Sequence, residues 1–165
     1  MNKRSILITG GAGFIGSHLV DALVDRGDVV RILDNFSSGR ENFISHHEGS
    51  DSVQVIRGDL LDPGIVSDSM VGVEMVHHLA ANPDIRLGTE ITDTDLKQGT
   101  ICHYNVLEAM RVNGVQKISF ASSSAVYGEA EVMPTPESYG PVVPISLYGA
   151  SKIASEALIL SLIHI

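Results

Sequence analysis

The segment Ile6-Leu7-Ile8-Thr9-Gly10-Gly11-Ala12-Gly13-Phe14-Ile15-Gly16 constrains the fold of this chain more than any other. An apolar run the length of one strand enters closely spaced glycines and continues into apolar residues at helical spacing. A strand that turns through glycines into a helix offers unpaired N–H groups and the positive end of a helix dipole, with no Cβ in the way. Gly10, Gly13, Phe14, Ile15 and Gly16 are therefore candidate ligands for a dinucleotide pyrophosphate. The loop lacks the Gly-Lys-Ser/Thr ending of a phosphate-transfer loop.

Context strengthens this reading. Val29-Val30-Arg31-Ile32-Leu33 reads as a second strand. It ends in Asp34, about 20 residues past the glycines, where a carboxylate can accept both ribose hydroxyls. The same charge repels a 2′-phosphate, so NAD is expected over NADP. Arg40 could bind such a phosphate, but it reads as a solvated loop residue.

Further apolar runs occur at Val53 to Arg57, Met75 to Leu79 and Lys117 to Ala121, with helical patterns at Phe14 to Leu23, Pro63 to Met70 and Tyr104 to Val112. Strands alternating with helices predict an α/β fold, a doubly wound parallel sheet with right-handed crossovers and strand order 3-2-1-4-5. The cofactor should cross the switch point between strands one and four. Glu129 to Pro144, with Pro134, Pro136, Pro141 and Pro144, reads as a long loop.

With 165 residues, 44% of them hydrophobic, the chain suits one domain with a good core, and its net charge of −9 speaks against nucleic acid or an anionic membrane as partner. No apolar run is long enough to cross a bilayer and no leader cleavage pattern precedes the first strand, so a cytoplasmic protein is expected. The single cysteine, Cys102, reads as a small buried hydrophobe on a helix.

The chemistry-bearing residues lie late in the chain. The fifth strand runs into Ser122-Ser123-Ser124-Ala125-Val126-Tyr127-Gly128, and Tyr148 and Lys152 follow at a spacing of four. On a helix that spacing puts both on one face, where an ammonium can favour the phenolate. A tyrosinate can take a proton from a sugar hydroxyl while hydride leaves the same carbon for nicotinamide. A serine hydroxyl from the strand-five end could bind the substrate oxygen.

Together these segments resemble the extended short-chain dehydrogenases/reductases of the NAD-dependent epimerase/dehydratase type, most closely nucleotide-sugar epimerases of the UDP-glucose 4-epimerase kind. The resemblance is carried by Ile8 to Gly16, Leu33 to Gly39, Arg57-Gly58-Asp59-Leu60, His78-Leu79-Ala80-Ala81, Ser122 to Gly128 and Tyr148 to Lys152. It implies a Rossmann-type fold in which Asp34 and Asn35 contact the adenosine ribose and its phosphate, Asp59 and Leu60 frame the adenine, and Leu79, Ala80 and Ala81 line the path to the nicotinamide. Tyr148 is then the acid/base, Lys152 binds the nicotinamide ribose, and Ser123 is the active-site hydroxyl. Dehydratase relatives place Asp-Glu directly after that hydroxyl. Here Ser124 and Ala125 stand there, which disfavours dehydration.

Two departures stand out. Gly99 occupies the place where such enzymes commonly carry an asparagine that helps order the site, and Asn82-Pro83-Asp84 follows the alanines where some epimerases have a phosphate-side lysine. Residues 1–159 are expected to be a cofactor-binding domain that stops before the last strands and a small substrate domain. Leu160 to Ile165 reads either as a non-native tail or as an apolar helix end.

Of the seven histidines, His77 and His78 are strand neighbours pointing to opposite faces, and His46-His47-Glu48 lacks a third ligand at sensible spacing. No metal is expected. The reading is an NAD-dependent epimerase inverting C4 of a nucleotide-hexose through a 4-keto intermediate, a homodimer when full length. A reductase or decarboxylase of nucleotide-sugars and a non-catalytic NAD-binding domain are the alternatives.

Overall fold

Ile6, Leu7, Ile8 and Thr9 are wholly shielded from solvent, and a strand covered on both faces belongs at the centre of a sheet packed between helices. In the computed structural model, which describes Lys3–His164, this run is β1 (Ser5–Thr9). Met1, Asn2 and Ile165 lie outside the described residues, and with them the last residue of the sequence read as a tail.

Strand β1 pairs in parallel with β2 (Val29–Asp34) and β4 (Met75–His78), so that Ile6 lies beside Val30 and Met75, and Thr9 beside Leu33 and His78. Strands β3 (Val53–Arg57) and β5 (Ile118–Phe120) complete a five-stranded parallel sheet of order β3-β2-β1-β4-β5, the order expected of a Rossmann-type fold.

Helix α1 (Phe14–Asp25) buries Gly16, Ser17, Val20 and Leu23, a stripe at helical spacing. Val20 and Leu23 join Ile6, Ile8, Ala12, Val30, Ile32 and Ile44 in one core cluster. Helix α2 (Pro63–Ser69) starts on Pro63, with Asp62 accepting from the N–H groups of Gly64 and Ile65 at 2.9 and 3.2 Å. A one-turn helix α3 (Leu87–Glu90) was not foreseen, and the helix anticipated around Tyr104 to Val112 is α4 (Cys102–Asn113), entered through a π-helical turn at Leu96–Ile101. Cys102 is buried at its start. Helix α5 (Leu147–Leu162) is capped by Ser146, which accepts from the Gly149 N–H at 3.0 Å, and it runs on through Leu160 to Leu162. Residues 129–144 carry neither helix nor strand, as their prolines dictate.

The chain divides into two compact units. One, Met1–Ala81 with Asn105–Ala121, contains the whole sheet. The other, Asn82–Tyr104 with Ser122–Ile165, contains α3, the π-helical turn and α5, with no strand among its described residues. No helix is long and apolar enough to cross a membrane among the described residues.

Candidate nucleotide site and candidate acid–base site

In the first unit the expected cofactor residues gather at the carboxyl ends of the strands. Gly10 follows β1 at φ +73°, and a Cβ there would stand 2.8 Å from the backbone nitrogen of Ala80 and 3.2 Å from the carbonyl carbon of Leu79. The glycine turn thus rests directly on the backbone that leaves β4. A Cβ on Gly16 would meet the Gly10 carbonyl oxygen and lie 2.7 Å from Gly11 Cα, so turn and helix start can close only on glycine. Gly13 caps α1 without a side-chain hydrogen bond, and the first turn holds no acidic residue. Phe14 and Ile15, at the first turn, are 70% and 69% exposed. Their N–H groups have no partner within the helix, the arrangement that receives a pyrophosphate.

Asp34 is buried at the end of β2 and already has two backbone partners: Oδ2 accepts from the Ala12 N–H and Oδ1 from the Phe36 N–H, both at 2.9 Å. The carboxylate therefore ties the glycine turn to its own strand end, and its remaining lone pairs are what a ribose could use. This turn holds Phe36 at φ +57°, a left-handed conformation uncommon outside glycine, and the Arg57 guanidinium lies 4.1 Å from the Phe36 ring centroid. Asn35 Nδ2 donates to Asp59 Oδ2 at 3.1 Å, which joins the ends of β2 and β3 on the expected adenine side. Leu60 is buried, and its carbonyl accepts from Asn105 Nδ2 at 2.8 Å. Arg40 lies over Phe43, 5.8 Å from its ring centroid. A cradle only glycine can line, with an acidic strand end beside it, fits a dinucleotide without a 2′-phosphate. A separate cavity of about 470 Å³, lined among others by Phe36, Ile44, His47 and Arg57, contains none of the expected site residues.

In the second unit Tyr148 and Lys152 lie one turn apart on α5, with Lys152 Nζ 5.5 Å from the centroid of the Tyr148 ring. Lys152 is 4% exposed, and burial pulls its ammonium down to about 8. Ser123 caps the 3₁₀ turn Ser124–Tyr127, its oxygen accepting from the Ala125 N–H at 3.1 Å, which leaves the hydroxyl proton to donate. A Cβ on Gly149 would stand 2.6 Å from the Ala125 carbonyl oxygen, so the first turn of α5 packs closely on the turn that Ser123 caps. Ser122 donates instead to Glu156.

Two features escaped the sequence reading. Gly99, where an asparagine was expected, lies in the π-helical turn with no room for a side chain: a Cβ would sit 2.5 Å from Ser151 Oγ and 2.8 Å from Ser151 Cβ. The departure is therefore a packing choice, in which the helix entering α4 approaches α5 one residue before Lys152. His103, four residues on, is fully buried. Burial first, and then the charge of Lys152, push it down to about 4, with the Ser155 backbone acting in the opposite direction. Its helical spacing from Gly99 was the available signal. One expectation is corrected: His46 and His47 do not lack a third ligand, because both reach Asp21 of α1.

Comparison with known proteins places the chain in a family and a fold. The NAD dependent epimerase/dehydratase family matches residues 6–164. A Methanocaldococcus jannaschii protein with the provisional name UDP-glucose 4-epimerase is 41% identical over 159 residues, covering 93% of this chain and 49% of the relative. UDP-glucuronic acid decarboxylase 1 of Xenopus tropicalis is 35% identical over 163 residues, 95% of this chain and 37% of the relative. The crystal structure of Thermus thermophilus UDP-glucose 4-epimerase in complex with NAD superposes with a TM-score of 0.85 at 35% identity, over 95% of this chain and 50% of that one. The chain spans about half the length of such relatives or less.

Proposed function

This chain belongs to the NAD dependent epimerase/dehydratase family, whose cofactor is NAD, and we propose that the protein epimerises C4 of a UDP-hexose. The observation that carries the proposal is the pairing of Tyr148 with a buried Lys152 on α5, within the unit whose turn Ser123 caps. Tyr148 takes the proton of the sugar 4-hydroxyl and later returns it. Lys152 beside the ring would hold the nicotinamide ribose, while Ser123 donates its hydroxyl proton to the substrate oxygen. A bound NAD would supply the hydride acceptor and donor for the sugar C4, so that epimerisation consumes no net cofactor. Gly10, Gly13, Phe14, Ile15 and Gly16 would receive its pyrophosphate, Asp34, Asn35, Asp59 and Leu60 would hold its adenosine, and Leu79, Ala80 and Ala81 would line its path toward the nicotinamide.

Epimerisation is favoured over dehydration by Ser124 and Ala125, which offer no acid or base after Ser123. Decarboxylation of a UDP-uronic acid is the second reading, supported by the decarboxylase relative. The full-length protein is proposed to act in the cytoplasm as a homodimer. The test is incubation with UDP-galactose deuterated at C4. We expect UDP-glucose that keeps its deuterium, with no net NADH. Carbon dioxide from UDP-glucuronate, without sugar inversion, would replace this reading with decarboxylation.

A further inference from the structure

Asp21 lies about one turn before the end of α1, and His46 and His47 lie in a 3₁₀ turn in the connection between β2 and β3. Their side chains converge. His46 Nε2 and His47 Nε2 stand 2.8 and 2.6 Å from the same atom, Asp21 Oδ1, and the three ligand atoms all lie within 4.8 Å of one another. The two imidazole rings lie 4.1 Å apart between centroids, their planes tilted by 43°. Sequence neighbours on a strand could not do this. The 3₁₀ turn does, by folding both rings toward α1.

Two imidazole nitrogens and one carboxylate oxygen are a donor set for a divalent ion of the zinc class. We propose that Asp21, His46 and His47 form a metal site that takes Zn²⁺ or a similar ion, with solvent in the remaining position. Ligands at about 2.0–2.2 Å in a tetrahedral arrangement are roughly 3.3 Å apart, so the pairs now at 2.6 and 2.8 Å need to open by roughly half an ångström. Side-chain rotation supplies that, because the His46 and Asp21 side chains are 53% and 40% exposed, while His47, at 11%, is the fixed member. Each ring coordinates through the Nε2 lone pair with its proton on Nδ1, and Asp21 supplies the charge that a neutral His pair lacks. The set lies within the sheet unit, and the ion would staple α1, whose first turn forms the glycine cradle, to the segment that follows Asp34.

The site needs neither the proposed reaction nor its substrate, so its test is independent of both. The full chain, stripped with chelator, is titrated with zinc sulfate by calorimetry and, separately, with Co²⁺ followed by visible absorption. The expected result is one ion per chain with micromolar or tighter affinity, a Co²⁺ spectrum of low coordination number, and a higher unfolding temperature with metal. Asp21→Asn and His47→Gln should each weaken binding at least tenfold, whereas His18→Gln, a change elsewhere on α1, should leave it alone. Far-ultraviolet circular dichroism checks that each variant is folded. Absence of stoichiometric binding, or binding that survives the Asp21→Asn/His47→Gln pair, overturns the proposal.

Discussion

The sheet unit and the strandless unit place their functional groups by different means. In the first, expected cofactor residues hang on the ends of four strands: Gly10 after β1, Asp34 at the end of β2, Asp59 after β3 and Leu79 after β4, with Phe14, Ile15 and Gly16 opening α1 beyond the glycine turn. The backbone ladder sets their positions, and only the glycine turn depends on atoms that cannot move. In the second, no ladder exists among the described residues. Tyr148 and Lys152 are placed by a helix that packs through Gly149 onto Ala125 and through Ser151 onto Gly99. A sheet fixes a site by hydrogen-bond register, whereas a pair of closely packed helices fixes it by the absence of side-chain atoms. The two should therefore fail differently.

The largest effect is expected at Gly16. In Gly16→Ala the added methyl meets backbone, which cannot step aside, so stability should fall by about 3 kcal/mol or more in urea unfolding and NAD binding should be lost. A near-native midpoint would mean that the ladder tolerates a rearranged turn.

Acid should strike the other unit. His103 is held at about 4 against an ordinary value of 6.5, so between those two values the unfolded chain binds more protons. The stability from the neutral imidazole is complete above pH 6.5 and drains away as pH falls toward 4, by up to about 3 kcal/mol. In His103→Gln that slope should flatten. Parallel pH profiles for the two proteins would show that the loss arises elsewhere.

These contrasts also explain what could be read from the sequence. The strand order and the glycine turn were legible because apolar runs, glycines and an acidic strand end are local patterns with one backbone solution. Tyr148 and Lys152 were legible for the same reason, a spacing of four on one helix. Gly99 looked like a deficit, because its meaning lies in Ser151, 52 residues away in a chain of 165. His46 and His47 looked unfit to share an ion because no third ligand stands near them in sequence, whereas Asp21, which both reach, comes from another element. The backbone partners of Asp34 were equally hidden, since the reading gave the carboxylate only to the cofactor.

The role proposed for Asp34, beside its two backbone partners, sharpens the comparison. Asp34→Ala removes a charge-assisted contact worth about 1.5–3 kcal/mol, so NAD affinity should drop roughly tenfold to a hundredfold while the preference over NADP shrinks. Calorimetry with both nucleotides measures this, and an NADP preference in the unaltered protein would refute the assignment. The smallest effect is expected at Gly99→Ala. Here the added methyl meets a serine side chain rather than backbone, at a cost of about 1–3 kcal/mol, and Ser151→Gly should restore much of it. Additive losses in the double variant would break the picture of two helices meeting at that point.

The division of labour is tested most directly by Tyr148→Phe in the full-length protein, with turnover of UDP-galactose and NAD affinity measured on the same preparation. Loss of a positioned acid/base should lower turnover roughly a hundredfold or more, while NAD affinity, proposed to rest on the strand ends of the other unit and on Lys152, should stay as before. Turnover that persists without the phenol would contradict the account.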